Sequence, residues 1–306
     1  MHLHHGHDHS SCVASQNYGK AFAIGAVLNA AFVAIELVFG FWAGSLALIA
    51  DGGHNLSDVL GLLLAWGASY LARRRPSGRR TYGLRRTSIL AALANAILLL
   101  MAVGAIAWEA ILRLWQPEAV ASATMIWVAG VGVIVNTVTA LLFMSGRKND
   151  LNVHGAFLHM AADAAVSLGV VIAGIVIRYT AWFWIDPAIS LVIAVVIAVG
   201  TWELLWQSLN LALDSVPKQV DLELVRGYLA GLPGVTAVHD LHIWALSTTE
   251  IALTVHLVKP AAEVDDDWLD RVGHELHDRF GIVHPTIQIE SGRGANGCRL
   301  ASDDVV

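Results

Sequence analysis

Charged residues are scarce in this chain and cysteines are almost absent. Only 14% of its 306 residues are charged, whereas a soluble domain typically carries about 25%. Because 56% of the residues are hydrophobic, most of the chain is expected to face lipid rather than water. The two cysteines, Cys12 and Cys298, lie near opposite ends, which argues against a disulfide framework and for thiols in a reducing compartment.

The hydrophobic residues are gathered into six runs, each long enough to cross a bilayer, which takes about 20 residues. We place these runs at residues 18–42, 45–72, 87–115, 121–145, 152–178 and 184–211. The first 16 residues are polar and rich in histidine, so no cleavable signal peptide is predicted.

Basic residues set the expected orientation. An arginine-rich segment at 73–86 joins the second and third runs, and Arg147 and Lys148 join the fourth and fifth. The loops on the opposite side are nearly uncharged. Since positive charge stays on the cytoplasmic side, we expect a multi-pass protein of the cell (cytoplasmic) membrane with both termini in the cytosol.

The last third of the chain has the composition of a soluble domain. An amphipathic helix is predicted at 217–231, starting at Pro217, which is a favoured first-turn residue. Further elements are predicted as strands at 235–246, 251–258 and 286–290 and as a second helix at 265–280. The order α-β-β-α-β predicts a small open α+β sandwich of about 75–80 residues.

The predicted fold is therefore a polytopic α-helical membrane protein with six transmembrane helices and a C-terminal cytosolic α+β domain. Its segments are a flexible His-rich stretch at 1–16, a transmembrane domain at 17–213, the cytosolic domain at 214–292 and a tail at 293–306.

Two His-x-x-x-Asp pairs, His54 with Asp58 and His159 with Asp163, lie inside the second and fifth runs. A single such residue fits a polar contact between helices, but repeated ionisable pairs at membrane depth are costly and indicate function. Positions i and i+4 share one helix face, so each pair points one way. Two imidazoles and two carboxylates suit a tetrahedral site for a divalent metal such as zinc. At this depth, the metal is expected to be the cargo.

Protons compete with metal for such a site, because metal binds the deprotonated ligands. An unperturbed histidine titrates near about pH 6.5, so exchange of metal for protons is chemically natural. Asp51 lies three residues before His54 on the same helical stripe. We expect Asp51 to support the site, by orienting a ligand or by hydrating the path of the ion, rather than to bind the metal.

The N-terminal segment carries its own histidines, which Gly, Asp and Leu interrupt, unlike the usual affinity tag. His-rich tracts bind metal by composition, and we expect this one to capture metal. Its histidines are His2, His4, His5, His7 and His9.

The run from Gly44 to Asp58, GSLALIADGGHNLSD, resembles the cation diffusion facilitator family, and so does HMAAD at 159–163. The resemblance covers roughly residues 17–300 in the expected order. It continues with Asp186-Pro187, DSVP at 214–217, VHDLHIW at 238–244 and TIQIE at 286–290.

The resemblance implies a homodimeric efflux carrier with six spans per subunit and a cytosolic domain of metallochaperone-like fold. It implies that metal leaves in exchange for protons, with both His-x-x-x-Asp pairs as transport ligands. Members with His at the position of His54 tend to prefer zinc over cadmium. We therefore expect Zn²⁺ as the substrate, with cobalt or cadmium as alternatives, and no nucleic acid partner.

The same resemblance places regulatory metal ligands in the cytosolic domain. These are His239, His256 and Glu290, and His284 lies near the same strand as a further candidate. Each is also compatible with a surface or interface position. A charge interlock is implied for Arg86 and Asp214, with Arg85 as an equal candidate for the cation.

Two alternative functions, an enzyme and a sensor, would also explain some of these metal-binding residues. An intramembrane metallohydrolase needs an open metal position and a general base, and the sequence lacks His-Glu-x-x-His. A membrane-tethered metal sensor without flux has no need for ligands at the membrane midplane. Transport is therefore the favoured prediction.

Overall fold

The computed structural model describes residues 18–72, 74–144, 151–260 and 266–291. The chain divides into two compact units. Among the described residues, one unit contains those up to Leu62 together with those of Ile97–Thr201, and the other contains those of Leu63–Ala96 together with those from Trp202 onwards.

Long helices account for most of the described chain. They coincide with the six predicted apolar runs to within two residues at either end, because both features follow from the same uninterrupted apolar sequence. They are α1 Tyr18–Ala43, α2 Leu46–Ala72, α3 Thr87–Trp115, α4 Ser122–Met144, α5 Leu151–Thr180 and α6 Ile185–Ala212.

Four stretches of the described chain are long and apolar enough to cross a membrane, judged by length and composition. They are Thr87–Trp115, Ser122–Leu142, Phe157–Thr180 and Ile185–Ala212, and the helical stretch Val27–Ala43 is apolar but shorter. The chain thus contains a transmembrane domain, while the number of six spans stays a prediction.

Large apolar side chains cover the outer faces of these helices. Trp42, Trp127 and Val199 are 76%, 77% and 69% exposed. Soluble monomers rarely expose contiguous apolar patches of this kind. The exposed faces are therefore those expected of helices that contact lipid.

Small residues bring the helices of the first unit close together. Gly132 of α4 faces Phe32 of α1 and Ser167 of α5 so closely that an added Cβ would lie 2.7 Å from Phe32 Cζ. Gly174 of α5 likewise faces Ile126 of α4, at 2.8 Å from an added Cβ. Close backbone approach at small residues is how helices associate when lipid leaves them little hydrophobic driving force.

Two helix connections of the first unit are hydrogen-bonded to each other. The N–H of Ala121, just before α4, donates to the carbonyl of Ala43 at 3.0 Å. The guanidinium of Arg113, near the end of α3, donates to the carbonyl of Gly44 at 2.7 Å. The α3–α4 connection is therefore joined to the α1–α2 connection.

Asp186, at the start of α6, is hydrogen-bonded to the start of α2, which follows the α1–α2 connection. Its carboxylate is fully buried and accepts from Ser45 Oγ at 2.5 Å, from the N–H of Leu46 at 2.8 Å and from that of Ala47 at 3.3 Å. The first N–H groups of a helix have no partner within the helix. Asp186 thus satisfies the first turn of α2 from another helix and fixes where α2 begins.

The second unit contains a three-stranded sheet with two helices. The sheet has the order β1-β2-β3, with β1 antiparallel and β3 parallel to the central β2. Its core includes Val225, Leu253 and Leu276, all fully buried. The elements are α7 Leu222–Ala230, β1 Ala237–Ala245, β2 Ile251–Val258, α8 Asp266–Phe280 and β3 Ile282–Glu290.

Two predicted boundaries in this unit are wrong. Helix α7 starts at Leu222 rather than at Pro217, because the side chain of Asp221 accepts from the N–H groups of the first turn and caps the helix there. Strand β3 starts at Ile282 rather than at Thr286. It runs through Pro285 because an edge strand tolerates a residue that lacks an N–H.

We predict that Gly132→Ala lowers the melting temperature of the detergent-purified protein. The added methyl would meet Phe32, which is only 3% exposed, and would lie 3.0 Å from Ser167 Oγ. Gly130→Ala is the matched control on the same helix, because nothing lies within 4 Å of its added Cβ. The control should be neutral or more stable by up to about 1 kcal/mol. Equal melting of the two variants would contradict this packing.

Candidate metal centres

Helices α2 and α5 bring the two His-x-x-x-Asp pairs together. His54, His159 and Asp163 offer ligand atoms that all lie within 4.8 Å of one another. Asp58 Oδ2 lies 3.7 Å from His54 Nε2 and 3.1 Å from His159 Nε2. Asp163 Oδ1 lies 3.7 Å from His54 Nε2, and its Oδ2 lies 3.7 Å from His159 Nε2.

The imidazole–carboxylate separations are close to those between the ligands of a tetrahedral metal site. Ligand atoms about 2.0–2.2 Å from one ion lie about 3.3–3.6 Å apart at tetrahedral angles. The four imidazole–carboxylate distances, 3.1 to 3.7 Å, bracket that range. His54, His159 and Asp163 therefore form a compact set of ligand atoms, and Asp58 approaches both imidazoles from the more exposed side.

Asp163 is buried, with its side chain 4% exposed, whereas those of Asp58 and His159 are 38% and 41% exposed. The group is therefore closed beside Asp163 and reachable beside Asp58. Asp163 Oδ2 and His54 Nδ1 are buried without a hydrogen-bond partner in the described chain. A buried polar atom without a partner is destabilising unless something else satisfies it, and for the Asp163 oxygen a bound cation would do so.

Asp51 is fully buried, and the hydrogen bond that it makes is to a serine of α5. Its Oδ2 accepts from Ser167 Oγ at 2.9 Å, and its Oδ1 has no hydrogen-bond partner within the described residues. It neighbours Glu36 of α1, whose Oε2 accepts from Asn55 Nδ2 at 3.2 Å. Among the described residues, no hydrogen bond joins Asp51 to a metal ligand, and its supporting role stays a prediction.

Ser167 and Asn55 were not singled out as site residues from the sequence. The signal for Ser167 was its position four residues after Asp163, on the same face of α5. Asn55 follows His54 directly, and nothing in the local pattern indicates that it reaches Glu36 on another helix.

A second group lies in the sheet of the second unit. His239 of β1, His256 of β2 and Glu290 of β3 also offer ligand atoms that lie within 4.8 Å of one another. His256 Nδ1 lies 3.0 Å from Glu290 Oε1, and His239 Nε2 lies 3.5 Å from Glu290 Oε2. The group is largely buried and spans all three strands.

Asp240 extends this group, which the sequence did not indicate. Its carboxylate lies 3.4 Å from His256 Nε2 and 2.9 Å from His242 Nε2. The β1–β2 register shifts between His239 and His242, and Asp240 has a positive φ of 52°. Such an irregularity changes the direction of a side chain. Asp240 therefore does not follow the regular alternation of side chains between the two faces of the strand.

His284 does not join the group, in contrast to the prediction. It pairs with Ala252 along the strands, whereas Glu290 pairs with Val258, six residues further on. Its ring packs edge-on against Tyr82, with the ring centroids 5.5 Å apart. The early start of β3 is the cause, because it places His284 at the opposite end of the strand.

The predicted pair of Arg86 with Asp214 is formed, whereas Arg85 contacts a carboxylate that was not predicted as its partner. Arg86 Nη2 lies 2.6 Å from Asp214 Oδ1, and Arg85 Nη1 lies 2.9 Å from Glu250 Oε2. Both arginines are therefore engaged, each with its own carboxylate. The N-terminal histidines, His2 to His9, lie outside the described residues.

Family comparisons identify both the helical part and the C-terminal part of the chain. Residues 22–211 match the model of the cation efflux transmembrane domain, and residues 217–292 match that of the cation efflux protein cytoplasmic domain. The chain belongs to the cation diffusion facilitator family. It is accordingly a multi-pass membrane transporter for divalent metal cation efflux, and the family is one of transporters rather than enzymes.

Several characterised proteins are similar over nearly the whole chain. The metal cation efflux system protein CzcD of Cupriavidus metallidurans is 39% identical, over 94% of this chain and 89% of that protein. The zinc transporter ZitB of Escherichia coli is 36% identical, over 94% and 92%. The cadmium, cobalt and zinc/H(+)-K(+) antiporter of Bacillus subtilis is 33% identical, also over 94% and 92%.

Among solved structures, the metal-bound C-terminal domain of the CzcD transporter is 42% identical. It matches 23% of this chain and 99% of that domain, with a TM-score of 0.21.

Proposed function

We propose that this protein exports Zn²⁺ from the cytosol in exchange for H⁺, through a site formed by His54, Asp58, His159 and Asp163. The observation that carries the proposal is the meeting of two imidazoles and two carboxylates at distances of 3.1 to 3.7 Å. Their helices belong to an apolar bundle whose outer faces suit lipid. A metal held there is on a path across the membrane.

The donor set supports zinc. Two imidazole nitrogens and two carboxylate oxygens without a thiolate suit zinc in tetrahedral geometry, whereas softer ions favour sulfur ligands. The similar ZitB is named a zinc transporter. The similar antiporter is named for cadmium and cobalt as well, so these two metals are the alternatives within the same function.

Proton exchange follows from the chemistry of the same ligands. Each imidazole binds zinc only when its ring nitrogen is unprotonated, so protons and zinc compete for the site. The partly exposed Asp58 and His159 give ions access to it. A resident catalytic zinc would instead need an open position for water, which four convergent ligands leave no room for.

The remaining architecture is proposed from the same reasoning. The helices α1 to α6 are six spans in the cytoplasmic membrane, and the arginine-rich segment and both termini lie in the cytosol. The family of cytoplasmic domains that residues 217–292 match is named for dimer formation. We propose that two chains form a homodimer.

The histidine–carboxylate group of the sheet is proposed as a regulatory zinc site. His239 Nε2 is buried without a hydrogen bond in the described chain, and Glu290 faces both His239 and His256. A zinc ion would be held by His239, His256 and Glu290, with Asp240 beside them. The N-terminal histidines are proposed to raise the local supply of metal.

The first prediction from this function concerns the transport ligands. In proteoliposomes with a proton gradient, Asp58→Ala and His159→Ala should abolish zinc flux, because each removes one of four ligands. Zinc affinity should fall by more than the about 10–100-fold that loss of an outer-shell partner costs. His274→Ala, at an exposed position of α8, is the control and should transport normally. Normal flux in Asp58→Ala would refute the site, and parallel runs with cobalt and cadmium would rank the metals.

Zinc affinity should also depend on pH. As the pH falls through about 6.5, histidine takes up a proton, so the zinc affinity of the purified protein should fall with it. Calorimetric titration between about pH 5.5 and 7.5, where histidine normally titrates, measures the effect. An affinity that stays constant over that range would contradict shared use of the ligands by zinc and protons.

The regulatory site predicts a change in stoichiometry. His256→Ala and Glu290→Ala should each remove one bound zinc from the dialysed protein, while flux through the membrane site persists. His284→Ala is the matched control, because it alters the same strand as Glu290 at a position outside the group. If His284→Ala rather than His256→Ala lost the zinc, the assignment of this site would be wrong.

A further inference from the structure

Two carboxyl groups outside the proposed metal site are buried side by side. Glu36 of α1 and Asp51 of α2 are both 0% exposed. They meet where the two helices approach closely, since a Cβ added at Gly52 would lie 3.2 Å from Glu36 Cγ and 3.0 Å from Leu37 Cδ2. Asn55, which donates to Glu36, lies one turn after Asp51 on the same face of α2, so Glu36 approaches the face of α2 that carries Asp51.

Each carboxyl group has one neutral donor and one oxygen without a donor. Glu36 Oε2 accepts from the amide of Asn55, and Asp51 Oδ2 accepts from the hydroxyl of Ser167. Glu36 Oε1 and Asp51 Oδ1 are buried and have no hydrogen-bond partner among the described residues. The two unsatisfied oxygens therefore belong to groups that face each other.

The charges that face this pair do not neutralise two carboxylates. Asp163 adds negative charge toward both groups, and His54 is an imidazole that acts on Asp51. Burying an ionised carboxylate without a counter-charge is very unfavourable, and two adjacent carboxyl groups do not both ionise in such a setting. One proton between them would remove one charge and satisfy both remaining oxygens.

We infer that Glu36 and Asp51 form a proton-binding site that is separate from the metal ligands and holds one proton between its two carboxyl groups. Asp51 lies one helical turn before His54, and its partner Ser167 lies one turn after Asp163. Asp51 and its donor Ser167 thus lie one turn from the metal site along α2 and α5, and Glu36 reaches them from α1. Its role in exchange rests on the proposed zinc/proton antiport, whereas the bound proton itself does not.

The bound proton is tested by infrared spectroscopy of the full-length protein in detergent at neutral pH. The carbonyl stretch of a protonated carboxylic acid should be present in the wild type and lost in both Glu36→Gln and Asp51→Asn. In each variant the new amide donates to the remaining carboxylate, which then ionises. Glu223→Gln, at an exposed position of α7, should keep the band. Ser167→Ala should keep the proton but shift the band, because it removes a donor to Asp51.

Transport measurements separate this inference from the proposed function. Glu36→Gln should still bind zinc but lose the stimulation of zinc flux by a proton gradient. A band that persists unchanged in both single variants would overturn the proton site, even if zinc flux in the wild type is proton-driven. Gradient-driven flux in Glu36→Gln equal to that of the wild type would overturn its role in exchange. Absence of gradient-driven flux in the wild type would instead contradict the antiport function.

Discussion

The cost of burying carboxyl groups in an apolar helix bundle is the constraint on which the first unit depends. Each buried acid meets this cost differently. Asp186 accepts three donors from the start of α2, Asp163 faces two imidazoles, and Glu36 shares its burial with Asp51. Because each solution needs a partner on another helix, the acids also decide how the helices are placed against one another.

The ends of the helices in the transmembrane domain were predictable from sequence to within two residues, because polar residues and turns mark where each long apolar run begins and ends. That His54 and Asp58 would meet His159 and Asp163 was predictable, because i, i+4 spacing places both members of each pair on one helix face. What local patterns lack is the pairing of faces between distant helices. For that reason the contacts of Glu36 with Asn55 and of Asp51 with Ser167 were not foreseen.

The predictions for the C-terminal domain failed for a different reason. Its strands were recognised, but Pro217 was taken as a helix start where the cap at Asp221 decides the boundary. The position of His284 depended on the parallel register of β3 against β2, which a single strand's sequence does not encode. Asp240 reaches the histidine group only because of a register shift. Long-range register and local irregularity thus account for most of the errors.

The joined connections at one end of the first unit limit how its helices are able to move. Ala121 is bonded to Ala43, Arg113 to Gly44, and Asp186 to the first turn of α2. Separating α2 from α6 at this end would leave a buried carboxylate, one hydroxyl and two backbone N–H groups without partners at once. A change of access during transport would therefore carry these helix ends as one rigid block. The pivot would lie at this end, and the larger displacements at the other.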